Sequence, residues 1–204
     1  MAASEARADL RQIAALAPSG AKVLDVGCGD GALLLLLARD KNIEGRGIEL
    51  DQRNVNACVA RGLFVVQGDA DHDLDMYPDK AFDLVVLSQT IQATRHPRDV
   101  LMNLLRIGKR VIVSFPNFGH WRVRLQLLFN GRMPVTGTLP AQWYETDNLH
   151  LCTVADFVAL ADAVGARIER IDAFDVQGAP LSGSSNPRWL NLAAGGAMFT
   201  LSRD

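Results

Sequence analysis

Three glycines at alternate positions, Gly27, Gly29 and Gly31, follow an apolar run that contains Asp25. Glycine permits a tight turn and lets a ligand approach the backbone without meeting a Cβ. At the end of a first strand such a loop suits a nucleotide-like ligand, although a plain strand-to-helix turn can look the same. The spacing argues against two phosphate-binding patterns. The third glycine falls one position too early for G-x-G-x-x-G, and there is no GK[ST]. Glu49 closes the next apolar run, 22 positions after Gly27. A carboxylate there can accept both hydroxyls of a ribose, with charge-assisted bonds worth about 1.5–3 kcal/mol when desolvated. Asp51 is the rival acid and is better placed to cap the helix that follows.

Other reactive side chains are less organised. Ser88, Gln89 and Thr90, followed by Gln92, are neutral hydrogen-bonding groups and offer no base. His96 stands before Pro97 and marks a helix start, while His120 and His150 are either bases or structural histidines. Asp71, His72, Asp73 and Asp75 have metal-ligand chemistry, but nothing fixes their geometry, so a solvated loop and no metal are expected. Cys28, Cys58 and Cys152 are odd in number and fit no C-x-x-C spacing, as expected of reduced thiols in a cytoplasmic protein.

These groups need elements to hold them. Residues 5–17 show helical spacing, stopped by "APSG". "KVLDVG", "GRGIEL", "LFVVQGD", "FDLVVLS" and "KRVIVSF" are five short apolar runs without a period of two. Between them lie helical segments at 31–40, 52–61 and 98–107, while "DADHDLDMYPDK" is an irregular connection. That alternation predicts a parallel sheet covered on both faces. The rhythm breaks at about 116–152. It resumes with a helix opened by Thr153 and Asp156 as a capping box and stopped by Gly165. "ARIERIDAF" is then a strand, "GSSNPRWLN" a loop, and "GAMFTLSR" a last strand antiparallel to its neighbour.

A chain of 204 residues, 49% hydrophobic and 22% charged, can bury a full core as a single domain. A net charge of −2 argues against broad nucleic-acid binding. "ALLLLLA" at 32–38 is far short of the roughly 20 residues of a membrane span.

With Asp25 inside the strand, D-x-G-x-G-x-G resembles the first motif of class I S-adenosylmethionine-dependent methyltransferases. In that pattern an acid at the third strand end reaches the adenine amino group, and Asp69 in "QGDA" fits. The resemblance implies a three-layer α/β sandwich with a mostly parallel seven-stranded sheet and one antiparallel strand. It implies a site for S-adenosylmethionine or S-adenosylhomocysteine in four places. The first is Asp25 with the loop Gly27, Cys28, Gly29 and Gly31. The others are Glu49 with Leu50, then Gly68 with Asp69 and Ala70, and finally Ser88 with Gln89.

The chain resembles one family more closely. "VLDVGCGDGALL", "GIELDQ", "FDLVVLSQTIQATRHPRDVL", "VIVSFPNFGHWRVRLQLLFNGRMPVT" and "WYETDNLHLCTVADF" are similar to the MetW family of methionine biosynthesis, over about residues 10–175. This resemblance implies a working partner, the homoserine O-acyltransferase MetX, which such proteins support. The alternative is a true small-molecule methyltransferase, though no acceptor motif of the N-P-P-Y type is present. The segment at about 116–152 is the natural place for a second function. There Trp121, Leu125 and Leu128 form an apolar stripe at helical spacing, beside Arg122 and Arg124. Aromatic residues and arginine are enriched at interfaces, so the stripe is either a partner surface or a lid packed on its own sheet.

Overall fold

The computed structural model describes residues 8–137, 139–146, 148–181 and 186–203. The first strand, β1 (Lys22–Val26), is followed by β2 (Glu44–Glu49), β3 (Val65–Gln67), β4 (Phe82–Ser88), β5 (Gly108–Pro116), β6 (Arg167–Phe174) and β7 (Gly196–Ser202). All seven form one sheet in the order β3-β2-β1-β4-β5-β7-β6. The pairs from β3 to β5 are parallel, and β7 runs antiparallel to both β5 and β6. The sheet is the expected one, with its single antiparallel strand.

Helices cover both faces. Alternate side chains of one strand enter different cores: Val23, Leu84 and Val86 meet α1 (Ala8–Leu16) and α2 (Ala32–Lys41). Leu24, Val26, Val85 and Leu87 instead meet α4 (Pro97–Ile107) and α6 (Val154–Ala163). This two-sided burial explains why the strands read as unbroken apolar runs. Three rings from three elements close the larger core. Phe115 lies 4.8 Å from Phe157 and 5.7 Å from Phe199, and Phe157 lies 4.6 Å from Phe199.

Local chemistry sets most helix starts. Asp51 accepts from the Arg53 amide and opens α3 (Gln52–Ala60), as expected. Thr153 and Asp156 form both bonds of the predicted capping box at α6. Gly165, at φ 68°, follows that helix. The irregular connection after β3 contains only a short turn at Leu74–Met76.

Two elements differ from the sequence reading. "GSSNPRWLN" is not wholly loop, because Pro187–Ala193 forms α7 and buries Leu190. Asn186 caps it by accepting from the Arg188 amide, and Pro187 occupies the first turn, where its missing N–H costs nothing. Residues 183–185 of that segment, and residues 5–7 of the first helix, lie outside the described residues. β3 is only three residues long, against the seven of "LFVVQGD", because as an edge strand it has β2 alone to pair with. No helix among the described residues is long and apolar enough to cross a membrane.

Candidate functional site

Gly27, Gly29 and Gly31 connect β1 to α2, with φ of 69°, 54° and 79°. This left-handed backbone is where glycine is favoured over other residues. The three are not equivalent in their surroundings. A Cβ on Gly27 would lie 2.7 Å from Thr90 Oγ1, and one on Gly31 would lie 2.4 Å from Leu63. A Cβ on Gly29 would meet nothing within 4 Å. The outer two glycines therefore serve packing within the chain, and the middle one leaves an open face that a ligand can approach.

Glu49 binds this loop to the next strand end. Its Oε2 accepts from the Gly29 amide at 2.7 Å and its Oε1 accepts from the Asp51 amide at 2.9 Å. The carboxylate is buried, and its orientation is set by two backbone donors before any ligand arrives. Leu50, next to it, is exposed and presents an apolar side chain at the same strand end. The Gly68 amide donates to the Glu49 carbonyl at 3.0 Å, bringing the "QGDA" turn alongside. There Asp69 Oδ1 accepts from the Asp71 amide, and Ala70 packs on the main core. The carboxyl ends of β1, β2 and β3 thus meet through short bonds.

β4 adds the fourth group. The Thr90 side chain that faces Gly27 donates its hydroxyl to the Ser88 carbonyl. Gln89 is exposed and has φ 57°, a left-handed conformation unusual for a residue with a side chain. Such strain persists where surroundings enforce it, and it clusters at ligand sites. Its amide is held by the Ser114 carbonyl at 2.9 Å. Ser88 is buried, donating to Asp9 Oδ2 at 2.9 Å and accepting from Ser114. Asp9 on α1 was not singled out in the sequence, since no local pattern connects it to a strand 79 positions away.

Several of the predicted residues also have partners within the chain. The Cys28 side chain is turned into an apolar cluster with Leu34, Val55, Cys58 and Val65. Burial, followed by the neighbouring Asp25 carboxylate, pushes its thiol well above the ordinary range. It is a neutral packing group, and its amide is bonded to the Ile48 carbonyl. Asp25 is buried within β1. Asp71 and Asp73 are not merely solvated. Asp71 accepts from the Arg95 and His96 amides, and Asp73 from the Asp69 amide. No metal-binding group of histidine, cysteine and acidic side chains assembles among the described residues.

The histidines have structural partners. His120 opens α5 (Trp121–Asn130) by accepting from the Arg122 amide, and burial lowers its pKa. His150 Nε2 lies 3.4 Å from the Arg95 carbonyl. Just before His120, Asn117 is fully buried. Its Nδ2 donates to the carbonyls of Leu190, Asn191 and Ala194, and its Oδ1 accepts from the Gly119 and Val154 amides. One side chain thus joins the end of β5 to α6 and α7.

The stripe on α5 faces outward. Trp121, Leu125 and Leu128 are 43%, 41% and 73% exposed, whereas Val123 is buried. None of these three side chains is fully covered by the sheet. The segment beyond α5 folds around an apolar cavity of about 280 Å³ lined by Phe118, Met133, Leu139, Trp143, Leu149 and Leu151. It is tied back to the site loop: the Leu149 and His150 amides both donate to the Gln92 carbonyl, and Gln92 Nε2 donates to the Gln89 carbonyl.

The residues fit an adenosine ligand: a Cβ-free face at Gly29, a preset carboxylate at Glu49 and an exposed Leu50 stand at one end of the sheet. Solved structures share this frame. An S-adenosylmethionine-dependent methyltransferase from Archaeoglobus fulgidus is 18% identical, with 97% of this chain and 92% of that chain covered and a TM-score of 0.71. Another from Mesorhizobium loti is 17% identical, with 96% and 98% covered and a TM-score of 0.69. At those identities the likeness is one of fold. A bifunctional methionine biosynthesis protein MetXA/MetW from Rhodopirellula baltica is 33% identical over 207 residues, covering 96% of this chain and 33% of that protein. Ajmaline N-methyltransferase from Rauvolfia serpentina is 34% identical over 94 residues, 42% of this chain and 32% of that protein. The chain thus spans about a third of the length of each of these relatives. Residues 7–201 match the family described as methionine biosynthesis protein MetW. The chain belongs to the MetW family and has the class I S-adenosylmethionine-dependent methyltransferase fold.

Proposed function

We propose that the chain binds S-adenosylmethionine or S-adenosylhomocysteine and works, as a single domain in the cytoplasm, as the partner subunit of a homoserine O-acyltransferase. The observation that carries this reading is the outward stripe of α5, with Arg122 and Arg124 beside it. Burying a large apolar side chain is worth about 1.5–3 kcal/mol, which this chain alone does not gain there. Exposed apolar side chains on one helix face, with arginines beside them, have the composition of an interface. The R. baltica relative, named for both MetXA and MetW in one chain, supports the acyltransferase as the partner. The ligand is itself made from methionine, so its binding can report supply to the complex. It regulates only if it favours one state of that complex over another.

A second reading, a small-molecule methyltransferase, is favoured by the similarity to ajmaline N-methyltransferase. Against it stand the structural bonds of His120 and His150, the two histidines of the inserted segment.

One experiment addresses both. The purified acyltransferase is assayed alone, with this chain, and with this chain under titrated S-adenosylmethionine, while S-adenosylhomocysteine formation is followed in the same samples. Acyl transfer is expected to rise on adding the chain, with no S-adenosylhomocysteine formed above background. Trp121→Ala is expected to remove most of that rise and leave ligand affinity unchanged. Turnover of S-adenosylmethionine without any effect on acyl transfer favours the methyltransferase. Neither effect removes both readings.

A further inference from the structure

Arg53, Arg106, Arg110 and Arg170, on other parts of the surface, each have a carboxylate within ion-pair distance. Among the described residues Arg122 and Arg124 on α5 and Arg188 on α7 have none, as also Arg95, Arg98 and Arg132; what sets Arg124 and Arg188 apart is that they share one groove. Arg124 and Arg188 line the same groove, a space of about 630 Å³ between α5, α6 and α7, together with Val158, Pro187 and Leu192. Arg124 is anchored there, its Nε donating to the Gly119 carbonyl at 2.6 Å. Its terminal nitrogens have no bond among the described residues. The groove is also braced, since the Ala155 amide donates to Asn191 Oδ1 across α6 and α7, and Asn117 bonds the same two helices. Leu192, which lines the groove, is 40% exposed on α7, so apolar surface stands beside the arginines there.

We propose that this groove is the docking site for the acyltransferase, and that it takes a partner segment carrying carboxylates flanked by apolar side chains. This rests on the partner reading above and extends the interface from α5 onto α7, which carries none of the interface residues expected from sequence. The occupant follows from complementarity. Guanidinium groups form paired bonds to carboxylates in a fixed planar geometry. Arginine is among the residue types that dominate binding energy at protein interfaces. A chain of net charge −2 with apolar side chains between the groove's arginines is poorly suited to a nucleic-acid backbone.

The test measures affinity between the full chain and the purified acyltransferase at low and high salt, for the wild type, Arg188→Glu, Leu192→Ala and Trp121→Ala. Each variant is checked for its melting temperature and its S-adenosylhomocysteine affinity, both of which are expected to match the wild type. Arg188→Glu is expected to weaken the complex by about tenfold and to flatten its salt dependence, and Leu192→Ala to weaken it by a similar factor without changing the salt dependence. Wild-type affinity in Arg188→Glu and Leu192→Ala, with Trp121→Ala still impaired, overturns the groove and leaves the partner reading intact. No binding by the wild type at either salt overturns the partner reading and the groove with it. Self-association of the isolated chain that Arg188→Glu abolishes would give the groove to a second copy and overturn the proposal.

Discussion

Replacing Asn117 with alanine is expected to lower stability by about 3–5 kcal/mol, since each buried polar group left without a partner costs about 1–3 kcal/mol. The side chain is fully buried and holds two amides and three carbonyls, from the turn at Gly119, from α6 and from the end of α7. Alanine leaves at least the Gly119 amide and the Ala194 carbonyl without their partner, in a place closed to water. For a chain of this size the fall in melting temperature is about 10 °C. Asn117→Asp separates hydrogen bonding from size. It keeps an oxygen for the two amides but sets a second oxygen against three carbonyls, so it is expected to be at least as unstable as alanine. Thermal and urea unfolding of both variants check this. Loss of less than about 1 kcal/mol in either, the net worth of one ordinary hydrogen bond, would mean that the junction is not held by this side chain.

Glu49→Gln is expected to weaken S-adenosylhomocysteine binding by about tenfold to a hundredfold. The figure is the 1.5–3 kcal/mol of bonds to a charged acceptor, at 1.4 kcal/mol for each factor of ten. Glutamine preserves the size, but its amino group must face either the Gly29 amide or the Asp51 amide, both donors. Glu49→Ala also releases both amides and is expected to lose stability along with affinity, so the glutamine variant is the cleaner test. Calorimetry with S-adenosylhomocysteine, and with NAD as a ligand expected to be silent, reads the effect. Unchanged affinity in Glu49→Gln would remove Glu49 from the site, and preferential NAD binding would overturn the ligand class.

What could be read from sequence was local. The alternate glycines, the Asp51 cap, and the pairing of Thr153 with Asp156 each act within a few residues. Their spacing alone carries their roles. Bonds between distant segments leave no such trace. Asp9 meets Ser88 only because α1 packs over the end of β4, and Asn117 gains its partners only when α6 and α7 arrive. Asp71 and Asp73 looked solvated because their partners are backbone amides, which no side-chain pattern reports. The α5 stripe shows a different limit. Trp121, Leu125 and Leu128 share a face, but Val123 is apolar too, and periodicity does not say which face turns inward. The α7 start was legible in principle, since Asn186 followed by Pro187 is a cap and a first turn, but the glycines and serines before it suggested a loop.

β7 lies between β5 and β6, although it is the last of the seven strands in the chain. During synthesis, therefore, β5 emerges long before its second neighbour, and β6 has no place in the sheet until Gly196–Ser202 follows it. In that interval β5 presents a bare edge of backbone groups, and Phe115 and Phe157 lack the third ring, Phe199, that covers them. An open edge beside uncovered phenyl rings is the kind of surface that captures other nascent chains. Of the described strands, β7 is thus the one whose arrival closes both the open edge of β5 and the gap beside β6.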